Sequence, residues 1–519
     1  MEGKDYYKEV GNPGEYPYPR GIHRNMYRGR IWTRREVCGY GSGVDTNERV
    51  LTLIKEGAGG ANVILDCTAE MGLDADHPLG GLEAGVTGVS LSCQRDMHLL
   101  TAGIPLDKIS VAMVGGTGIA SIVDFSAYLV EAQGRGIDFS QLSGTVQNDG
   151  VHTRYCGFRP AAPVDMSLKL DVDIIEYCGR YAKRWYPINV NMYDMRENGI
   201  SAVQEVAFGM CQAMMYIDKT LERGLDIDDF APRIAFYCAA HIDLFEEVAK
   251  LRAVRRLWAK ILKERYGAKD PRSQQFHFGV HTAGCSLVPK QPLNNIVRIA
   301  YEGLAAVLGG VQSLHMCSYD EPICLPTEGS HKLALRTQQV LAYETGVASV
   351  SDPLGGSYYV EKLTDKIEEK ATVIMKQIED MGGMQKAHES GWIDREIDKA
   401  SLEEQQRVES RERLIVGANI FEEPLEEKTP LGVERLPEIK VKELAEAVKK
   451  LKEERDFDKT RKAIAELRDA AAKGEKENLI PWIMECLKAD ATVSEIGGTI
   501  REVYGYPYDP LEMVESPFH

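Results

Sequence analysis

A recurring pattern constrains the fold of this chain more than any other feature. Short runs of β-branched and apolar residues end in polar residues and are followed by helical patterns, as in residues 144–149, Gly-Thr-Val-Gln-Asn-Asp. Similar runs occur at residues 61–66, 108–112, 187–191, 233–237, 275–279 and 312–315. Strands that alternate with helices predict a parallel sheet with helical crossovers. About eight such units favour an α/β fold of the TIM (β/α)8 barrel type, in which chemistry occurs where strands meet their loops.

The rest of the chain has a different pattern, and three parts are expected. Residues 1–325 are predicted to form the barrel, residues 326–430 its helical extension, and residues 431–519 a charged helical segment that contacts a partner. Long helices are expected at residues 359–381, 393–414, 440–455 and 458–473. In the last two, apolar residues recur at helical spacing between Lys and Glu, which is typical of helices with one solvated face.

Composition narrows the class of protein. A net charge of −17 over 519 residues argues against a surface for nucleic acid or anionic membrane. No apolar run is long enough to span a bilayer, and residues 1–20 lack a signal-peptide core, so we expect a cytoplasmic protein. The 11 cysteines form no CxxC pair, which predicts neither a disulfide framework nor a metal site in this chain.

A basic cluster near the N-terminus stands out in this acidic protein. It contains Arg24, Arg28, Arg30, Arg34 and Arg35. Arginine forks bind phosphate through paired hydrogen bonds, so the cluster suits a phosphorylated small molecule such as coenzyme A. Surface arginines that pair with the acidic excess are the alternative.

Several short motifs point to one family. They are Ile-Pro-Leu-Asp-Lys at 104–108, Asp-Asp-Phe-Ala-Pro-Arg at 228–233, Glu-Val-Ala-Lys-Leu-Arg at 247–252, Asn-Asn-Ile-Val-Arg at 294–298, Gln-Ser-Leu-His at 312–315 and Asp-Pro-Leu-Gly-Gly-Ser-Tyr at 352–358. With the strand pattern, these motifs resemble the large chain of the methylmalonyl-CoA mutase family, the adenosylcobalamin-dependent acyl-CoA mutases. The resemblance implies an isomerase with a TIM barrel threaded by CoA, in which a cofactor radical starts a carbon-skeleton rearrangement.

The resemblance also implies roles for individual residues. Those that match substrate and CoA contacts are Met26, Arg30, Thr33, Arg35, Val37, Asn62, Ile64, Thr145, Gly157, Tyr193, Arg233, Gln312 and Ser313. Those that match positions near the corrin or adenosyl group are Leu65, Thr87, Cys156, Gly157, Glu197, Gly284, Cys285, Glu321, Pro322, Cys324 and Leu325. The expected catalytic residues are Gln147, Asp194 and His281.

The cobalt-ligand motif of the family, DxHxxG, is not found. The nearest stretch, residues 96–101, has Thr where the motif has Gly, and we interpret His98 as a packing or surface residue. The resemblance therefore implies a small cobalamin-binding subunit that supplies the cobalt ligand. It further implies a G-protein chaperone and an assembly that is a homodimer of large subunits or a heterotetramer.

Departures from the family pattern concern the acyl pocket. Val37 and Gly29 replace larger side chains, and Gly157 stands where methylmalonyl-CoA mutases have the arginine that clamps the substrate carboxylate. An unpaired buried carboxylate is costly, so these changes predict a bulky or branched acyl-CoA rather than methylmalonyl-CoA. Ile64 occupies the place of the aspartate that binds the hydroxyl in 2-hydroxyisobutyryl-CoA mutases.

Asp194 replaces the family histidine that donates to the thioester carbonyl, and an ionised carboxylate has no proton to donate. Three hypotheses remain for the hydrogen bond to the thioester carbonyl. Asp194 is protonated and donates it, or Gln147 or His281 is the donor, or Asp194 instead binds a hydroxyl or amide of a different substrate. Two further activities remain as alternatives, a mutase for a hydroxyacyl-CoA and one for a substituted succinyl-CoA with Arg154 or Arg196 as the clamp. A non-catalytic CoA-binding paralogue is an alternative of another class.

Overall fold

The protein is described by a computed structural model for residues 10–114, 116, 118–151, 155, 163–324, 326–423 and 436–518. The chain divides into two compact units, each built from separate stretches. Unit 1 comprises residues 1–36, 190–217 and 234–434, and unit 2 comprises residues 37–189, 218–233 and 435–519. The boundaries expected at residues 325 and 430 stay predictions.

Nine strands occur in the described part of the chain. They are β1 (Thr33–Arg35), β2 (Val37–Cys38), β3 (Ala61–Ile64), β4 (Val111–Val114), β5 (Gly144–Val146), β6 (Ile188–Asn191), β7 (Ile234–Ala240), β8 (His277–Thr282) and β9 (Ser313–His315). They form one sheet of order β1-β9-β8-β7-β6 and one of order β2-β3-β4-β5.

Strands β1 and β9, β2 and β3, β3 and β4, β4 and β5, β7 and β8, and β8 and β9 pair in parallel. The predicted α/β class is therefore confirmed, and the architecture is consistent with a TIM-like barrel followed by helices. Strands β1 and β2 were not expected from the sequence. They lie within the basic segment, where charged side chains hide the strand pattern.

Helices fill most connections between strands and make up most of the chain after β9. In chain order they are α1 (Gly43–Lys55), α2 (Cys67–Glu70), α3 (Gly80–Glu83), α4 (Gln94–Thr101), α5 (Gly118–Gly134), α6 (Val164–Tyr181), α7 (Tyr193–Glu197), α8 (Ala202–Glu222), α9 (Ile227–Phe230), α10 (Leu244–Lys260), α11 (Asn294–Leu308), α12 (Glu328–Tyr343), α13 (Tyr358–Asp380), α14 (Met384–Glu389), α15 (Trp392–Glu409), α16 (Glu438–Glu454), α17 (Phe457–Ala471), α18 (Ile480–Lys488) and α19 (Val493–Val503). Within the described ranges, no helix is long and apolar enough to cross a membrane.

The C-terminal helices belong to the core of unit 2. Leu467 of α17, Ile483 of α18 and Ile496 of α19 are fully buried in the same apolar cluster as Phe125 of α5 and the aromatic residue Trp185. Burial of apolar surface is the main favourable term in folding, so these helices help to hold β3, β4 and β5 in place.

Unit 1 is held by aromatic packing and buried ion pairs. The rings of Phe236 in β7 and Phe276 stack with centroids 4.2 Å apart. Arg252 of α10 pairs with both Asp352 and Glu361, and all three side chains are buried. A buried charge needs such partners, because removal of one leaves the other uncompensated. These contacts fix the helices behind β7, β8 and β9.

Candidate active site

The register of β1, β7, β8 and β9 in unit 1 builds one face of a site. Arg35, His315 and His281 are neighbours across β1, β9 and β8. Tyr237 of β7 is paired with Gly279, two residues before His281. Residues two apart along a strand share a face of the sheet, so these four side chains lie on the same side.

Aromatic rings line this face. The imidazoles of His281 and His315 stack with centroids 3.9 Å apart, and Tyr193 lies 4.5 Å from His281. Burial lowers the pKa of His281 to about 3. Burial and the neighbouring imidazoles of His281 and His331 lower the pKa of His315 well below its usual value. Both rings are therefore neutral at physiological pH, which lets them stack without charge repulsion.

Two carboxylates face each other beyond the ends of these strands. The backbone N–H of Cys285 donates to Glu197 Oε2 at 2.8 Å, and the backbone N–H of Ser318 donates to Glu321 Oε2 at 3.1 Å. A Cβ atom at Gly284 would lie 3.0 Å from Glu197 Oε2 and 3.6 Å from Glu321 Oε1. Glycine therefore keeps the space between the two carboxylates open.

These carboxylates have unused capacity to accept hydrogen bonds. Burial raises the pKa of Glu197 to about 7 and also raises the pKa of Glu321. Glu197 Oε1 is buried and has no hydrogen-bond partner within the described part of the chain. Since a buried acceptor without a donor is costly, hydroxyl groups of a bound molecule would stabilise this arrangement.

Asp194 has a defined partner. Its Oδ2 accepts a hydrogen bond of 2.7 Å from the side-chain amide of Asn191, and its backbone N–H donates back to Asn191 Oδ1 at 3.1 Å. One carboxylate oxygen of Asp194 is thus occupied as an acceptor at the start of α7. This pairing favours two of the three hypotheses. Either another residue donates the hydrogen bond to the thioester carbonyl, or Asp194 accepts one from a donor group on the substrate.

Arg196 is committed to protein carboxylates. Its guanidinium lies 3.7 Å from Glu205 and 3.8 Å from Glu247, and its Nη1 donates to the carbonyl oxygen of Ile200. The side chain is nine-tenths buried. Lys250 also pairs with Glu205 and Glu247, so use of Arg196 as a substrate clamp would leave these two buried carboxylates with a single counter-charge. The other candidate clamp, Arg154, lies outside the described residues.

In unit 2, the register aligns three predicted substrate residues. Val37 pairs with Asn62, Asn62 with Ala112, and Ala112 with Thr145. Val37, Asn62 and Thr145 therefore form one row across the sheet, on the same face as Ile64 by the two-residue alternation. Gln147 follows in the loop after β5 and is buried.

The predicted CoA ligands are a mixed set. Arg30 is exposed, whereas Met26 and Arg35 are buried, and burial lowers the pKa of Arg35 to about 10. Thr33 and Ser313 are neighbours across β1 and β9. Such proximity agrees with a shared ligand, and their role stays a prediction.

Two of the predicted CoA ligands also make internal contacts. Arg233 donates from Nε to the carbonyl oxygen of Lys183 at 3.0 Å and lies over the Tyr186 ring. The amide of Gln312 accepts from the N–H of Phe278 at 3.0 Å and donates to Gly310 at 2.7 Å. Both ends of the Gln312 amide thus bond to backbone, which gives it a structural role.

The other predicted cofactor contacts are scattered. Leu65 is buried and donates from its backbone N–H to Val114 at 3.0 Å, and Thr87 Oγ1 accepts from the N–H of Cys67 at 3.0 Å. Pro322 is exposed and Cys324 is half-buried. The predictions for Cys156, Gly157 and Leu325 fall outside the described residues. In α4, His98 is a surface residue whose Nδ1 lies 3.2 Å from Glu131.

The sequence matches the family described as methylmalonyl-CoA mutase over residues 2–506. This chain belongs to the methylmalonyl-CoA mutase family. It is 39% identical over 498 residues to the 2-hydroxyisobutanoyl-CoA mutase large subunit of Aquincola tertiaricarbonis, a match that covers 96% of this chain and 88% of that protein. It is 37% identical over 494 residues to the methylmalonyl-CoA mutase of Rhizobium meliloti, covering 95% and 68%. It is 34% identical over 494 residues to the human mitochondrial methylmalonyl-CoA mutase, covering 95% and 65%.

Membership in the methylmalonyl-CoA mutase family confirms the resemblance. It places this chain among the acyl-CoA mutases, which are isomerases. Within the site, Tyr237, His315 and Cys317 were not singled out from the sequence. Tyr237 and His315 end two of the predicted strand runs, so the rule that barrel chemistry gathers at strand ends could have found them. Cys317 carries no local signal of this kind.

Proposed function

We propose that this chain is the large subunit of an adenosylcobalamin-dependent acyl-CoA mutase that rearranges a bulky or branched acyl-CoA other than methylmalonyl-CoA. The observation that carries the proposal is the commitment of Arg196 to Glu205 and Glu247, beside the uncharged rings of Tyr193, Tyr237 and His281. The cation on the same face, Arg35, is assigned to the CoA. An apolar acyl group carries no charge, so it would lie against these rings without the need for a counter-charge. A free substrate carboxylate needs a cation beside it, and Arg196 is already paired with protein carboxylates.

The residues fit the adenosyl group of the cofactor. The pair of carboxylates around Gly284, with the unpaired Oε1 of Glu197, offers acceptors to the two hydroxyls of a ribose. Adenosylcobalamin, when bound, supplies the radical chemistry of the rearrangement. In this proposal Glu197 and Glu321 orient the ribose, and Tyr193, Tyr237 and His281 shield the acyl group from water.

The CoA part of the substrate is assigned to the N-terminal segment and to Arg233. Arg30 would hold phosphate through its fork, since arginine presents paired donors to phosphate oxygens. Met26, Thr33, Arg35 and Ser313 would contact the remainder. Gln147 and His281 are the candidate donors to the thioester carbonyl, because Asp194 is held as an acceptor.

The partner proposed for this chain is a small cobalamin-binding subunit that brings the cobalt ligand. The likeness to a protein named as a large subunit supports it, since that name implies a small one. The assembly is proposed to act in the cytoplasm, as a heterotetramer or around a homodimer of large subunits. A G-protein chaperone is a further proposed partner.

A second candidate is a hydroxyacyl-CoA mutase. It is favoured by Asp194, whose carboxylate can accept a hydrogen bond from a substrate hydroxyl, and by the 39% identity to a 2-hydroxyisobutanoyl-CoA mutase subunit. Ile64 stands against it, because the aspartate that binds the hydroxyl in that activity is absent at this position.

The test is a substrate panel on the assembled enzyme with adenosylcobalamin and its small subunit. The panel contains methylmalonyl-CoA, branched acyl-CoAs without a second charge, 2- and 3-hydroxyacyl-CoAs and substituted succinyl-CoAs. Rearrangement of a branched acyl-CoA with little turnover of methylmalonyl-CoA supports the proposal. Preference for a hydroxyacyl-CoA, lost in Asp194→Ala, supports the second candidate. Efficient formation of succinyl-CoA from methylmalonyl-CoA refutes both.

A further inference from the structure

Three side chains of metal-binding type meet where β8 and β9 end. His281 Nε2, Cys317 Sγ and a carboxylate oxygen of Glu321 all lie within 4.8 Å of one another. The sequence predicted no metal site, because the three residues do not follow a recognised metal-binding spacing. They come together through the parallel pairing of β8 with β9, which sets His281 beside His315, two residues before Cys317.

The spacing matches zinc coordination. Zinc binds histidine nitrogen at about 2.05 Å and cysteine sulfur at about 2.3 Å in tetrahedral geometry, which requires roughly 3.6 Å between the two ligand atoms. The distance from Cys317 Sγ to His281 Nε2 is 3.6 Å. Glu321 lies four residues beyond Cys317, in the turn that follows β9, and one of its carboxylate oxygens is within 4.8 Å of both other ligand atoms.

Neighbouring groups already orient the ligands. The backbone N–H of Cys317 donates to Thr282 Oγ1 at 2.8 Å, and the backbone N–H of Ser318 donates to Glu321 Oε2 at 3.1 Å. Outer contacts of this kind fix ligand orientation at metal sites. The ring of His281 packs against His315 and Tyr193, which holds its plane.

We infer that His281, Cys317 and Glu321 bind one Zn²⁺ ion and leave a fourth coordination position open. On binding, the Cys317 thiol gives its proton to the buffer and the sulfur binds as thiolate. The site has the composition of zinc centres with three protein ligands and an exchangeable water. Glu321 also lies beside Gly284, where the proposed function puts the adenosyl ribose. Zinc and adenosylcobalamin therefore compete, and zinc inhibits the assembled mutase.

The binding test uses the purified full chain without its partner, so that it does not depend on mutase activity. Co²⁺ serves as the spectroscopic probe, since a cobalt–thiolate bond gives a near-ultraviolet charge-transfer band and tetrahedral Co²⁺ absorbs strongly in the visible. One equivalent of Co²⁺ should produce both signals, and Zn²⁺ should abolish them at one ion per chain. Absence of a thiolate band in the wild-type chain overturns the inference, whatever the variants do.

Variants identify the ligands. Loss of an outer contact weakens metal binding by about 10–100-fold, so loss of a direct ligand in Cys317→Ser or His281→Gln should weaken Zn²⁺ binding by more than about 100-fold. The matched control is Cys93→Ser, at the N-cap of α4 where serine is well tolerated. Circular dichroism checks that each variant is folded. Equal zinc affinity in a folded Cys317→Ser chain and the wild type refutes the assignment.

The inhibition is tested separately on the assembled enzyme. Zn²⁺ should raise the apparent KM for adenosylcobalamin, and a chelator should restore it. If the assembly shows no mutase activity, the proposed function fails while the metal site still stands on the binding data. If Zn²⁺ binds the chain but leaves the KM for the cofactor unchanged, the metal site stands and the competition is wrong.

Discussion

Replacement of Glu197 by Gln is expected to stabilise the chain above neutral pH. Burial holds a proton on Glu197 up to a pKa of about 7, whereas the unfolded side chain loses it near 4.5. Between these values the folded state binds more protons, so the free energy of unfolding falls as the pH rises and levels off above about 7. Below about 4.5 both states are protonated and the contribution is nil.

The size of the effect follows from the shift. A change of about 2.5 pKa units corresponds to at most about 3 kcal/mol of lost stability at high pH. Glutamine has no proton to lose and keeps an oxygen for the N–H of Cys285, so Glu197→Gln avoids this cost. We therefore expect no difference from this source in acid, and an advantage for the variant that grows to about 2–3 kcal/mol by about pH 8.

The measurement is denaturant unfolding of the metal-free chain, with a chelator present, from about pH 5 to about pH 8. Glu403→Gln makes the same exchange at an exposed position of α15 and should show no pH-dependent gain. A difference between Glu197→Gln and the wild type that is the same at every pH would show that burial does not hold the proton. A variant that is less stable at high pH would refute the reasoning outright.

Four further outcomes are expected. Arg30→Ala and Arg233→Ala should each raise the KM for acyl-CoA roughly 10–150-fold, because each removes a charged contact of about 1.5–3 kcal/mol. The chain alone should show no turnover with adenosylcobalamin, and activity should appear on addition of the small subunit. Methylmalonyl-CoA should react at least roughly 100-fold more slowly than the best substrate, since misplacement by about 1 Å costs that much. Leu467→Ala should destabilise the chain by about 2–5 kcal/mol, because Leu467 is fully buried.

Each of these has a matched control or a contradicting result. Arg461→Ala, an exposed arginine of α17, should leave the KM unchanged, and equal KM values for all three arginine variants would show that the CoA lies elsewhere. Turnover by the chain alone would remove the need for the partner. Comparable rates on methylmalonyl-CoA and branched substrates would contradict the enlarged pocket. Leu402→Ala, at an exposed position of α15, should cost little, and an equally small cost at Leu467 would place α17 outside the core.

The strand pattern of the sequence predicted much of the fold. Seven expected strands appear as β3 to β9, since each expected run contains β-branched, aromatic or other apolar residues and lies next to polar residues. The strands that were missed are β1, which contains Arg34 and Arg35, and β2, which begins after Glu36. Charged residues of this kind are typical of a loop or surface. β1 is held as a strand by pairing with β9, which is distant in sequence, and β2 is held by pairing with β3.

The candidate site was predicted only in part. His281, Glu197 and Glu321 were found through the family resemblance, and the structure places all three in unit 1 around Gly284 and the ends of β8 and β9. The engagement of Arg196 was not predictable, because Glu205 and Glu247 reach it from two other helices. Cys317 was missed for the same reason: its proximity to His281 depends on strand register, which local sequence does not specify.

The discontinuous construction of unit 2 has a consequence for synthesis. Its shared core joins residues up to Trp185 with residues from Ala463 onward. At about 5–20 residues per second, a ribosome needs roughly 14–56 s to add the 278 residues that extend the chain from Trp185 to Ala463. During that interval the apolar faces of β3, β4, β5 and α5 stay uncovered, because α17, α18 and α19 have not yet been made. We expect nascent chains of this protein to depend on chaperones for that time, and early termination before α17 to yield insoluble product.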